Sequence, residues 1–284
     1  MLYVNREPQH GGISNAIREQ MRVYFQTKQL GTEQIDLVAK QGPKIEYGLM
    51  QALYRRKALS GRIPRPLAYS KGTLLYRRLW GDEFRRFPFV DRKTELNRLC
   101  SEVGILLAEI HNTPLPAHVN TIIRTQRERK RDLAEVTKQF PDVMKRFDVT
   151  IPPTPKTAPT ALIHGDFQAS NLIITLPHGK IGAIDFAAGG RGNPTTDIAG
   201  FLIHTELMLR GTLSRNTIDK GLDAFLQSYR RHRRKALHRD FTVALKAAKF
   251  DVLLSILGTT VAHLPPRDKN YEPVVGYLYK KFHE

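Results

Sequence analysis

Cysteine is almost missing from this sequence. Cys100 is the one cysteine in 284 residues, which excludes an intramolecular disulfide and points to a chain held by its own core in a reducing compartment. With that single Cys and scattered histidines there is no spacing suited to a zinc site. Long apolar runs are lacking too. The most apolar late stretch, DVLLSILGTTVAHL (251–264), opens on an acid and falls short of the roughly 20 residues of a membrane span, so a buried helix is expected there. The N-terminal MLYVNREPQHGG has neither the basic nor the apolar segment of a signal peptide. The expectation is a cytoplasmic protein, peripheral at most to the inner face of a membrane. No internal repeat and no low-complexity tract is evident.

Acidic residues are scarce relative to basic ones. There are 27 Asp and Glu against 45 Lys and Arg, a net charge of +18. Such a surface favours polyanions, anionic lipid and phosphorylated or acidic small molecules, and says nothing about fold. A hydrophobic content of 41% is ordinary for a globular chain of this length, enough for one large domain or two lobes.

The pattern along the chain changes once. RVYFQ (22–26) and IDLVAK (35–40) read as antiparallel strands around a turn at Gly31. IEYGLMQALYRRKAL (45–59) has helical spacing, ended by GRIPRP (61–66). LAYSKGTLLYRRL (67–79) reads as a hairpin turning at Lys71-Gly72. TELNRLCSEVGILLAEIHN (94–112) is a strongly amphipathic helix with Leu96, Leu99, Val103, Leu106, Leu107 and Ile110 on its buried face, and basic, polar helix is expected on to about 147. A stiff proline-rich segment, DVTIPPTPKTAPT (148–160), then leads to three short strands, ALI (161–163), NLIIT (171–175) and KIGAIDF (180–186), with helix from about 196 onward. The expected class is α+β: a small β-rich lobe over 1–80 and a larger, mainly helical lobe over 81–284.

One stretch carries chemistry. LIHGDFQASNLIITLPHGKIGAIDF (162–186) sets His164, Asp166, Asn171 and Asp185 among apolar residues. Any one loop aspartate closes a turn in most proteins. Together, two carboxylates and an amide oxygen at the ends of a hairpin are hard oxygen donors of the kind Mg²⁺ takes. The spacing H-x-D-x-x-x-x-N, followed after a hairpin by D-F, matches the catalytic loop and metal aspartate of protein-kinase-like phosphotransferases.

HGDFQASN and IDFAAGGRGNPTTDIAGFL closely resemble the aminoglycoside/choline phosphotransferase family, as do LLAEIHN (106–112), TLLYRRLWG (73–81) and Asp197-Ile198-Ala199. The resemblance covers about residues 10–210 and implies a bilobal protein-kinase-like fold and an ATP- and Mg²⁺-dependent transfer of the γ-phosphate to a hydroxyl. It implies Asp166 as the catalytic base, Asn171 and Asp185 as Mg²⁺ ligands, and His164 and Asp197 as supports of the loop. It implies Lys40 as the lysine on the α/β-phosphates with Glu46 as its helix partner, although a separation of six positions is closer than is usual in the family, and Lys44 is a rival. It further implies a glycine turn, Gly11-Gly12 with Ser14 and Asn15, over the phosphates, and a hinge at which Tyr76 backs the adenine while Arg77 and Leu79 offer backbone groups to the base.

Charge argues against the family's cationic acceptors, because like charges repel. RTQRERKR (124–131) and YRRHRRKALHR (229–239) are basic clusters in the lobe that would bind the acceptor. A neutral or anionic hydroxyl compound, such as a sugar, an envelope glycan or a lipid headgroup, is the expected acceptor; the clusters are either solvated helix faces or contacts for an anionic membrane or polyanion. The alternatives are an antibiotic phosphotransferase and, from another class, a pseudokinase or nucleic-acid-binding scaffold using the basic surface alone. No activation segment ending in A-P-E is present, which counts against protein substrates.

Overall fold

The computed structural model describes residues 2–9, 18–27, 31–89, 93–117, 119–122, 124–139, 141–145, 149–153, 161–176, 179–234, 240–263 and 271–283. The chain begins with strands β1 (Leu2–Gln9), β2 (Arg18–Thr27) and β3 (Gly31–Gln41). Helix α1 (Lys44–Tyr54) follows, then β4 (Arg65–Ser70) and β5 (Thr73–Arg77). These five strands form one antiparallel sheet in the order β1-β2-β3-β5-β4. The β4–β5 hairpin turns on Lys71 at φ 48° and Gly72 at φ 81°, two left-handed residues in succession, as a tight hairpin turn requires. β1 was absent from the sequence reading, because LYVNREPQ carries no clear apolar alternation.

α1 is shorter than its periodicity suggests. Arg55 N–H bonds the Gln51 carbonyl, Arg56 turns extended, and a 3₁₀ turn over Lys57–Leu59 drops Leu59 into the core. Arg62 then anchors the chain. It is buried, and its Nε donates to the Ile181 carbonyl at 2.6 Å while Nη2 donates to the Glu102 carbonyl at 2.9 Å.

The rest of the chain is mostly helical. β6 (Gly81–Glu83) is followed by α2 (Lys93–His111), α3 (Gln126–Gln139) and the single turn α4 (Pro141–Met144). The described residues between α2 and α3 are irregular where basic, polar helix is expected. Pro114 and Pro116 lie just past the end of α2, and proline cannot continue a helix. Then come β7 (Ala161–Ile163), β8 (Leu172–Thr175), β9 (Lys180–Ala183) and β10 (Gly190–Gly192). Four helices complete the described chain: α5 (Pro194–Leu209), α6 (Arg215–His232), α7 (Phe241–His263) and α8 (Tyr271–His283).

The expected hairpin over 171–186 forms as β8 and β9, although its second strand ends at Ala183. β8 pairs with β9 and β6, whereas β7 pairs antiparallel with β10. The polar loop 164–168 is thereby lifted out between two small sheets rather than folded within one.

The core is built on α2. All six residues assigned to its buried face are buried, with Cys100 and Ala108 beside them. Burial pushes the Cys100 thiol up, so it is an inert packing group. α2 packs closely on α6: a Cβ at Gly104 would lie 2.3 Å from the Phe225 carbonyl oxygen, so glycine sets the approach of the two backbones. Leu49, Met50 and Leu53 of α1 and Leu74 of β5 join the same apolar cluster, which couples the sheet to the helices. A second cluster fills the space among α3, α5, α7 and α8 around Ile203, Leu254, Leu257 and Leu278.

Leu107 is fully buried in the first cluster. Leu107→Ala should lower stability by about 2–5 kcal/mol, through lost transfer energy and a residual cavity, read from urea denaturation at neutral pH.

Candidate active site

The geometry starts from one lysine. Asp36, Val38 and Lys40 are buried along the alternation of β3. Lys40 Nζ lies 3.0 and 3.1 Å from the two carboxylate oxygens of Glu46 and 2.6 Å from Asp185 Oδ1. The six-residue spacing is bridged because Gly42-Pro43 turns the chain from β3 directly into α1, which starts only four residues after Lys40. Lys44, the rival, lies exposed at the start of α1. Burial raises the Glu46 carboxyl above its ordinary value, Lys40 works against that, and the nearby Asp185 charge adds to it.

Asp185 does not sit within a strand. β9 ends at Ala183, and Asp185 takes a left-handed backbone at φ 67°. That region is open to Asp more readily than to most side chains. It turns the carboxylate off the line of the strand and toward Lys40.

The loop after β7 holds the second group. Asp166 is exposed; its Oδ1 accepts from Gln168 Nε2 at 2.9 Å and its Oδ2 from Asn171 Nδ2 at 2.8 Å. Asn171 Nδ2 also donates to the Asp166 carbonyl at 2.9 Å. With the amide nitrogen engaged on the loop, the Oδ1 of Asn171 is its remaining acceptor. Asn171 N–H and carbonyl tie the loop to Gln168 and to Ile184, the residue before Asp185.

Beneath the loop lies a buried polar chain. Asp197, on the first turn of α5, accepts from the N–H of His164 at 2.7 Å and of Gly165 at 2.8 Å. Gly165 is at φ +83°, and a Cβ there would lie 2.0 Å from the Ala188 carbonyl oxygen, so no other residue fits. His164 is fully buried against Phe167 and Phe186, and its Nε2 lies 2.9 Å from the Ile184 carbonyl, to which it donates.

Asp197 has a third partner, His111 Nε2, at 3.0 Å, and His111 Nδ1 lies 2.9 Å from the Tyr229 hydroxyl. A carboxylate only accepts, so Nε2 carries the proton; in the neutral ring Nδ1 then accepts from Tyr229 O–H. Burial holds His111 below the ordinary histidine value and outweighs the pull of Asp197. Arg233, also buried, donates to the His111 carbonyl at 2.8 Å and to Asn112 Oδ1 at 2.7 Å.

Sequence reasoning missed this chain of contacts. His111 was visible only as the end of a helix, and Tyr229 and Arg233 only as part of a basic run. Likewise Arg129 of the other basic run is buried and forms a two-pronged pair with Asp251, at 2.7 and 2.8 Å. Parts of both basic clusters are internal supports, and residues 235–239 of the second lie outside the described residues.

Tyr76 lies opposite Val38 on β5 and shares a sheet face with Lys40. Arg77 ends that strand, and Leu79 follows, packed toward Gly182. Gly11, Gly12, Ser14 and Asn15 lie outside the described residues.

The donor chemistry fits Mg²⁺. Among the described residues no three His, Cys, Asp or Glu side chains converge as a closed metal cage. Mg²⁺ asks for less: one or two protein oxygens, with water and phosphates completing its shell. Asn171 and Asp185 can offer that. Two carboxylates, Glu46 and Asp185, meet one ammonium, Lys40. That local excess of negative charge, in a chain of net charge +18, suits a bound cation.

A buried lysine paired to a helix glutamate, with an aspartate after a hairpin nearby, is an arrangement of the protein-kinase-like phosphotransferases, and the α+β architecture is that bilobal, kinase-like fold. Within that class the chain belongs to the phosphotransferase enzyme family APH, whose model matches residues 22–241. It is therefore an enzyme that transfers phosphoryl groups. Solved structures agree in fold. An aminoglycoside-3'-phosphotransferase of type VIII superposes with a TM-score of 0.57 at 16% identity, covering 89% of this chain and 93% of that one. The amicoumacin kinase hAmiN, solved with AMP-PNP, Ca²⁺ and Ami, gives 0.60 at 12% identity over 97% and 87%. A choline kinase from Cryptosporidium parvum gives 0.59 at 11% identity over 99% and 88%. No curated protein matches the chain significantly in sequence. Among the described residues no helix is long and apolar enough to cross a membrane.

A neutral buried His111 has a pH signature. The unfolded chain binds a proton near pH 6.5 and the folded chain resists it, so stability is fully present above pH 6.5 and falls as the pH drops below it. Urea midpoints between pH 5 and 7.5 should rise with pH, and His111→Gln should flatten part of that rise.

Proposed function

We propose that the chain is an ATP- and Mg²⁺-dependent small-molecule kinase that phosphorylates a hydroxyl of a neutral or anionic acceptor, such as a sugar, an envelope glycan or a lipid headgroup. The observation that carries this reading is Lys40, held between Glu46 and Asp185, on the same site as the Asp166–Asn171 loop. On this reading residues 1–80 form the nucleotide lobe and hinge, and 81–284 the catalytic and acceptor lobe.

In the proposed reaction Asp166, exposed at the loop tip, orients the acceptor hydroxyl and takes its proton as the new O–P bond forms. Gln168 and Asn171 hold its two oxygens by hydrogen bonds and so set its direction. Lys40 is pre-aimed by Glu46 and provides a fixed positive charge for the α- and β-phosphates. Asn171 and Asp185 would hold Mg²⁺, which neutralises charge on the transferring phosphates. Tyr76 would back the adenine, the backbone of Arg77 and Leu79 would meet its edge, and Ser14 and Asn15 would lie over the phosphates. His164 and Asp197 keep the loop in place.

Charge supports this choice of acceptor. A net charge of +18 disfavours the polycations that aminoglycosides are. Antibiotic inactivation is the second reading, favoured by the aminoglycoside phosphotransferase among the similar folds.

The test is Mg²⁺-dependent ADP release from ATP across separate pools of sugars, lipid headgroups and aminoglycosides. Turnover is expected in a neutral or anionic pool. Asp166→Asn should lower kcat by about 10²–10⁴-fold while leaving ATP affinity within about twofold, measured by titration. Turnover with aminoglycosides alone would give the second reading, and no ADP release in any pool together with no Mg-ATP binding would sink both.

A further inference from the structure

A cavity of about 250 Å³ among α5, α7, α8 and the segment 149–153 is lined by none of the residues assigned to the Lys40–Asp166 site. Its floor is apolar: Ile203 of α5 and Phe250 and Leu253 of α7. Three lysines share the lining. Lys246 is exposed and Lys249 is half-buried, one turn apart on α7. Lys281 of α8 is nearly buried and is held 3.0 Å from Glu206 Oε1. Among the described residues that line the cavity, none is acidic.

That pairing of surfaces selects an occupant. An apolar floor gains by covering a hydrocarbon body, and it does nothing for inorganic phosphate. Lysines along the wall favour an anionic head and repel an amine.

We infer that this cavity binds an anionic amphiphile, a carboxylate or phosphate head on a short apolar body, seated on Ile203, Phe250 and Leu253 with its head toward Lys246, Lys249 and Lys281. None of these residues belongs to the site assigned to phosphoryl transfer, so the binding is measured without nucleotide and stands or falls apart from that reading.

The test is calorimetric titration of the full chain with octanoate, octyl phosphate and octanol. Saturable one-to-one binding of at least one anion is expected, at least about tenfold tighter than octanol and weakened by salt. The double variant Lys246→Glu/Lys249→Glu should weaken it roughly tenfold or more. Thr242→Trp, at an exposed position lining the same cavity, should block it while leaving the thermal unfolding midpoint in place, which separates loss of the site from loss of the fold. Preference for octyl phosphate would mark a phospholipid-type or phosphorylated ligand, and preference for octanoate a fatty-acid type. Absence of saturable binding by both anions, octanol binding as tight as either, or unchanged affinity in both variants would overturn the inference.

Discussion

One buried ammonium holds the site in register. Lys40 comes from the sheet, Glu46 from the helix behind it and Asp185 from the far hairpin. Each partner alone would be costly where it sits: an ionised glutamate at 1% exposure and a lysine at 4% are poorly solvated. Joined, they satisfy one another, and the pairing sets the distance between the sheet and the loop that follows β9. Removing one partner would leave the other buried and unpaired, which is the expensive way to break such a contact.

The loop that carries Asp166 depends on a different buried acid. Asp197 engages two backbone N–H groups and a histidine with its two oxygens. Its position on the first turn of α5 also suits a negative charge, since the helix dipole is positive there. His111 and Tyr229 extend that support into α2 and α6, the two helices that form the core, and Arg233 closes the far end of it. The exposed loop of Asp166 thus rests on groups that are themselves fixed in the core between α2 and α6, so its direction is set by the core rather than by its own short sequence.

The large positive charge divides into two kinds. Arg62, Arg129 and Arg233 are buried and spent on carbonyls and carboxylates inside the protein. They organise the fold and offer nothing to a ligand. Lysines such as Lys246 remain at the surface, where they shape the field that a ligand meets. A net charge read from composition merges these roles, because counting residues does not register burial.

Much of this protein was already determined by local sequence. The amphipathic stripe of α2 marked its buried face residue by residue, since a helix repeats every 3.6 residues whatever surrounds it. The Lys71-Gly72 turn was legible because few residue pairs accept two successive positive φ angles. The H-x-D-x-x-x-x-N spacing carried the family with it. Other features arose only from tertiary structure. The pairing of β7 with β10, the bond from His111 to Asp197 across 86 positions and the turning inward of Arg233 depend on which surfaces meet. Periodicity and spacing describe a chain relative to itself, whereas a buried hydrogen bond forms between whichever donor and acceptor packing excludes from water together.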